Sequence, residues 1–208
     1  PFNPEDIETI ILTHKHLDHS NDINVMVEAI THGGFKKRGL ILLPEDAALG
    51  EGRVLLSHYH TKIGCINYWQ DKKTIHLPQG SLEAVKLIHH GVECYGFILR
   101  HPKLQTLGFI SDTRYDEEII RRYHDCELLI VNMTFHHVRN GIDHLAAEHV
   151  ALIRDIIAPE VIILNHFGKG VIETGPEKIA HNLTKGSCKV IAPFDGQEFD
   201  LEGIESNL

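Results

Sequence analysis

Long apolar runs are missing from this 208-residue chain: no segment approaches the roughly 20 apolar residues that a membrane-spanning helix needs. No basic-then-apolar stretch opens it, so the expectation is a cytoplasmic chain. Cysteine is sparse. Cys65, Cys94, Cys126 and Cys188 are widely separated and form no C-x-x-C pair, which argues against a disulfide scaffold and for free thiols in a reducing compartment. Positive charge is in deficit: 20 Lys and Arg against 29 Asp and Glu leave a net charge of −9. Lys36, Lys37 and Arg38 form the only tight basic run, so a large nucleic-acid surface is disfavoured. The H-E-x-x-H pattern of zincin proteases is absent. So are internal repeats, low-complexity tracts and linkers, and one domain over 1–208 is expected.

What the chain has is a soluble globular balance, with 42% hydrophobic and 24% charged residues, and an excess of histidine, 17 in all. The histidines fall in clusters. "ILTHKHLDHSND" crowds His14, His16, Asp18 and His19 together behind an apolar run. In an extended segment residues two apart point the same way, so His14, His16 and Asp18 are expected to project into one pocket, with His19 turned aside. Imidazoles and a carboxylate are poor packing material. Together they are good ligands for zinc, and also for manganese or iron.

Periodicity outlines the elements. Strands are expected at Thr9–Leu12 and from Leu40, strands of a sheet or irregular hairpins in "RVLLSHYH", "CINYW" and "TIHLP", and a meander over Ala84–Ile88, Gly96–Arg100 and Thr106–Ile110. Helical spacing marks Asp22–Thr31, Asp116–His124, His144–Ile157 (stopped before Pro159) and Pro176–Lys185. Strands alternate with the later helices at Leu128–Asn132 and Val161–Asn165, and one or two close the chain within Lys189–Leu201. A meander followed by helix–strand alternation predicts an α/β chain of two sheets flanked by helices.

"THKHLDH" resembles the signature of the metallo-β-lactamase superfamily, and later segments resemble that family's remaining motifs in order. They are "LIHHGVECYGF", "LGFISDTRY" and "VIILNHFGKG". The resemblance implies a four-layer αββα fold with two divalent metal ions, zinc above all. His14, His16 and His90 would bind the first ion, Asp18, His19 and His166 the second, with Asp112 bridging. His90 is the better match, six residues before Gly96, and His89 is the alternative, because one sequence does not settle the register at an HH pair. Asp18 would also orient a metal-bound hydroxide, and the activity implied is hydrolysis.

"GIDHLAAEHVALIRDIIAPEVIILNHFG" resembles the ribonuclease Z and phosphodiesterase branch, in which a histidine opening a helix stabilises the phosphate. His144 occupies that place, and the substrate implied is a small or nucleotide-like phosphodiester. The rivals are a ribonuclease Z-like nuclease, a thioester or lactone hydrolase, and a metal-binding scaffold without catalysis. Two departures stand out. Where ribonuclease Z has an acid in a Glu-Ala-Thr-like string, "NMTF" has Asn132, and His136 and His137 behind it read either as substrate-binding or as an exposed loop pair. Only 13 residues precede His14, so the first sheet is expected to lack N-terminal strands, through truncation or with an open edge covered in a homo-oligomer.

Overall fold

The computed structural model describes residues 3–202. They fall into two compact units, one within Pro1–Asp71 together with Gly91–Tyr95, the other within Lys72–His90 and Gly96–Leu208. Each is described by itself.

In the first unit β1 (Thr9–Ile11), β2 (Arg38–Leu43) and β3 (Ile63–Tyr68) form a parallel sheet in that order. The chain passes from β1 to β2 through α1 (Leu17–Ser20) and α2 (Ile23–Ile30), and from β2 to β3 through α3 (Glu45–Ala48). Helix α2 forms because Ile23, Val27 and Ile30, spaced by four and three, bury one stripe. Ile23 and Val27 pack with Leu12, Ile41, Leu43 and Ile63; full burial of such a side chain contributes about 1.5–3 kcal/mol. "RVLLSHYH" is not the expected strand. Ser57–Thr61 is a 3-10 turn, because Leu55 and Tyr59 bury one face while the Tyr59 hydroxyl donates to Glu28 (2.6 Å).

The second unit is built on a seven-stranded sheet. Its strands are β4 (Thr74–Leu77), β5 (Gly80–His89), β6 (Val92–Arg100), β7 (Leu107–Ile110), β8 (Leu128–Asn132), β9 (Val161–Asn165) and β10 (Lys189–Ile191), in the order β10-β9-β8-β7-β6-β5-β4. The meander end is antiparallel where β4 meets β5 and β6 meets β7, and β7 through β10 are parallel. Helices α4 (Glu117–Ile120), α5 (Ala147–Ile157), α6 (Lys169–Thr174) and α7 (Pro176–Leu183) connect the later strands. Leu107, Leu128, Val161 and Ile163 share one apolar cluster, and Leu129, Val131, Ile162 and Leu164, pointing the other way, are buried as well. A sheet covered on both faces explains why these strands read as unbroken apolar runs.

Parallel registry levels the strand ends. Ile110 lies beside Val131, Val131 beside Leu164, and Asn132 beside Asn165. The residues just past β7, β8 and β9 therefore emerge side by side at the carboxyl edge, where open α/β sheets place their ligands.

Helix α5 starts three residues later than the pattern predicted. Residues 144–146 run instead along "TF" of "NMTF": Thr134 and Phe135 both donate to the Leu145 carbonyl (3.1 Å each), and Phe135 bridges Ala146. The His144 N–H is already given to Ile142 (2.9 Å), so His144 precedes the helix and does not open it. At the far end Ala158 adopts φ 54° ahead of Pro159, which stops α5 where expected.

Candidate metal centre

In the first unit His14 and His16 follow β1, His16 in extended backbone, and the chain then turns into α1 at Leu17. The expected alternation therefore ends at His16, and Asp18 and His19 sit on a helical turn. The three rings still gather. His14 is fully buried, with its ring centroid 4.8 Å from His16 and 4.1 Å from His19, and His19 Nε2 lies 3.5 Å from Asp18 Oδ2. The loop entry is pinned at three points: Trp69 Nε1 donates to the Leu12 carbonyl (2.8 Å), Tyr95 N to the Thr13 carbonyl (3.0 Å), and Lys15 pairs with Asp46 (3.0 Å).

In the second unit the buried Asp112, two residues past β7, is the hub. Its Oδ2 has His166 Nε2 at 3.5 Å, His144 Nδ1 at 3.7 Å and His89 Nε2 at 3.8 Å. These separations are too long for hydrogen bonds. Those of His166 and His89 are near the spacing of two donors on one tetrahedral zinc, about 3.4 Å for ligands about 2.1 Å from the ion. Asp112 Oδ1 is taken by Asn132 Nδ2 (2.8 Å), whose own amide oxygen accepts from Asn165 (3.2 Å). The Asn132 amide thus holds one oxygen of Asp112 and leaves the other to the imidazoles.

His89 and His90 are placed differently. The β5–β6 turn consists of His90 and Gly91, with φ 43° and 72°, positive as a two-residue hairpin turn requires. His89, the last residue of β5, is buried and faces Asp112, whereas His90 stands on the turn, half-exposed, 3.9 Å from Asp143. The structure therefore sets His89 in the inward position for which His90 seemed the better match. His89, His90 and His144 do bring ligand atoms within 4.8 Å of one another.

Partners of the rings fix their tautomers. His89 Nδ1 meets the Asp143 carbonyl at 2.8 Å. A carbonyl only accepts, so Nδ1 carries a hydrogen, which makes Nε2, on the Asp112 side, the ring atom that could ligate a metal ion. Thr134 Oγ1 lies 2.9 Å from His144 Nδ1 and 3.0 Å from His166 Nδ1. It has one hydrogen, so it donates to one ring and accepts from the other. His166 itself sits at φ 61°, a costly conformation for a non-glycine residue, fixed at the end of β9. The donor set and its supports fit a divalent metal ion. Asp143 and Thr134 escaped the sequence reading, although they flank His144 and share "NMTF", because no periodicity marks a residue that acts through a backbone carbonyl or a shared hydroxyl.

A family model described as the beta-lactamase superfamily domain matches residues 1–167. The chain belongs to that superfamily and has the metallo-β-lactamase fold. YhfI of Bacillus subtilis strain 168, a probable metallo-hydrolase, is 28% identical over 174 residues, 79% of this chain and 68% of that protein. Its crystal structure matches with a TM-score of 0.73 at 20% identity, over 90% of this chain and 76% of that one. A diphosphatase from the PhnP family matches at TM-score 0.63 and 17% identity, covering 89% of this chain and 68% of the other. The short form of human tRNase Z matches at 0.65 and 14%, covering 95% and 80%.

Proposed function

We propose that this protein is a dinuclear metal-dependent hydrolase, acting as a phosphodiesterase on a small or nucleotide-like substrate. The observation that carries it is the buried Asp112 carboxylate ringed by His89, His144 and His166 at 3.5–3.8 Å. In this reading His14, His16 and His89 would hold one ion and Asp18, His19 and His166 the other, with Asp112 serving both; His89 is preferred to His90 because of the two it is the one within 3.8 Å of Asp112. The family model, which runs through residues of both units, supports reading 1–208 as one working domain. Free thiols at Cys65, Cys94, Cys126 and Cys188 support a cytoplasmic home, and among the described residues no helix is long and apolar enough to cross a membrane.

Bound zinc would supply a hydroxide at neutral pH, since coordination lowers the pKa of water to about 7. The chain's own groups do the rest. Asp18 orients the nucleophile. A metal-binding His166 Nε2 needs its hydrogen on Nδ1, so His166 donates to Thr134 Oγ1. Thr134 must then donate to His144 Nδ1, which leaves the His144 hydrogen on Nε2. His144 thereby becomes a donor for a phosphoryl oxygen or for the leaving group. The net charge of −9 and the amide at Asn132 favour a small phosphodiester over tRNA.

Metal analysis by plasma mass spectrometry, with turnover of bis-p-nitrophenyl phosphate beside a thioester, tests this. Two ions per chain and phosphodiester turnover are expected. Asp112→Ala and His89→Ala should lose metal and His90→Ala should keep it, while His144→Ala keeps metal and loses about 10²–10⁴-fold in rate. Thioester turnover alone, or metal retained in Asp112→Ala, overturns the reading.

A further inference from the structure

The second unit carries a cavity of about 500 Å³ lined by Phe135 to Arg139 and by residues of α6, in the size range of small-molecule sites. Phe135 connects it to His144: its ring meets the edge of His144 (centroids 5.7 Å apart, interplanar angle 81°) and also lines the cavity. It is held rigidly, since its N–H goes to Leu145 and its carbonyl accepts from Ala147 (3.1 Å each). Over this ring lies Arg139, with its guanidinium carbon 4.4 Å from the centroid. Among the described residues no carboxylate pairs with Arg139. His136 and His137 continue the wall, rings 4.0 Å apart, with His137 tied to Glu148 (2.8 Å). Glu173 lines the same cavity, its carboxylate paired with Lys169 one turn earlier on α6 (3.5 Å).

We propose that this cavity takes the base of a nucleotide, stacked on the outer face of the Arg139 guanidinium, with the phosphate directed to His144. It rests on the hydrolase reading above and names the substrate class. A guanidinium already laid on an aromatic ring is a flat cationic platform, and bases stack on such platforms. A plain inorganic anion would leave the cavity mostly unfilled, and a purely apolar ligand would strip water from Arg139, His137 and Glu173 without replacing it. The Glu173 carboxylate, besides its pair with Lys169, can accept from an exocyclic amine, so a base that carries one, such as adenine, suits the wall chemistry.

The test is calorimetric titration of the metal-loaded full chain with adenosine 5′-monophosphate and with ribose 5-phosphate, which keeps the phosphate and lacks the base. The wild type should bind the nucleotide at least about tenfold more tightly than the sugar phosphate, and Arg139→Ala should remove most of that difference while sugar phosphate affinity stays. Arg139→Lys should not restore it, because an ammonium has no face for stacking. Equal affinities for the two probes, no nucleotide binding at millimolar concentration, or an unchanged Arg139→Ala variant overturns the proposal. Because the readout is binding, missing phosphodiester turnover would sink the hydrolase reading alone.

Discussion

Thr134 contributes a single hydroxyl, yet it touches two imidazoles with different tasks in the proposed chemistry. Its Oγ1 sits between His144 and His166 at 2.9 and 3.0 Å. Its backbone is fixed too, the N–H given to Leu145 and the carbonyl accepting from Gly168. Thr134→Val keeps the shape and removes both hydrogen bonds. Turnover should fall about 10–100-fold, the usual cost of losing a group that orients a metal ligand, while Thr134→Ser should retain most of it. Thermal melting would show both variants folded; equal rates for valine and serine would remove the hydroxyl from the mechanism. The same reasoning shows why one residue was legible in the sequence and its neighbour was not. His166 stands at the end of an apolar run in a recognisable motif, whereas Thr134 is one threonine among many until the fold sets it between two rings.

Strands and turns decide which side chains face inward. Alternation located strands at Ala84–Ile88 and Gly96–Arg100, within β5 and β6, but not the turn between them nor which histidine was last in the strand. The hairpin settled it, because a two-residue loop with positive φ leaves His90 on the turn and His89 in the pleat. Close packing of elements matters as much at Gly168, which caps α6. A methyl there would lie 2.5 Å from the Thr134 carbonyl oxygen and 3.3 Å from its Cγ2, whereas nothing stands within 4 Å of one on Gly170. Gly168→Ala should therefore cost about 1–3 kcal/mol and lower turnover as well, since it pushes on the residue that orients His144 and His166. Gly170→Ala, inside the helix, should be neutral or gain up to about 1 kcal/mol in urea unfolding. Equal stability of the two variants would refute the close approach.

For the chain as a whole the titrating groups point to acid lability. Burial pushes the His149 pKa below its usual 6.5, against an opposing pull from Glu148; its Nδ1 accepts from Ala146 at the start of α5, which needs the neutral ring. A base with a lowered folded-state pKa is protonated first in the unfolded chain as pH falls. Its stabilisation is complete above about pH 6.5 and declines below it. Glu148 follows the other rule. Burial raises its pKa, the His137 hydrogen bond and its own backbone outweigh that, and the net value lies below the usual 4.5. Asp155 is lowered mainly by its hydrogen bond from Arg154. Stabilisation from these carboxylates is present above about pH 4.5 and is lost as pH falls through their lowered values. Melting of the chelated chain should be level from pH 8 to 7, decline below about 6.5 and fall again below about 4.5, with the first step smaller in His149→Gln. A melting temperature flat down to pH 5 would contradict the His149 account.

Local pattern was enough to declare most strands, the α2 and α5 stripes, the ligand-rich loop and the family, because alternation, helical spacing and a six-residue H-x-H-x-D-H string are written in neighbouring residues. Placing His89 in the strand and His90 on the turn, turning Asn132 into the support of Asp112, starting α5 after His144 and finding Asp143 and Thr134 all required the folded chain. Except for the hairpin at His90, each depends on groups from separate stretches of sequence meeting within hydrogen-bond reach, and no local periodicity records such a meeting.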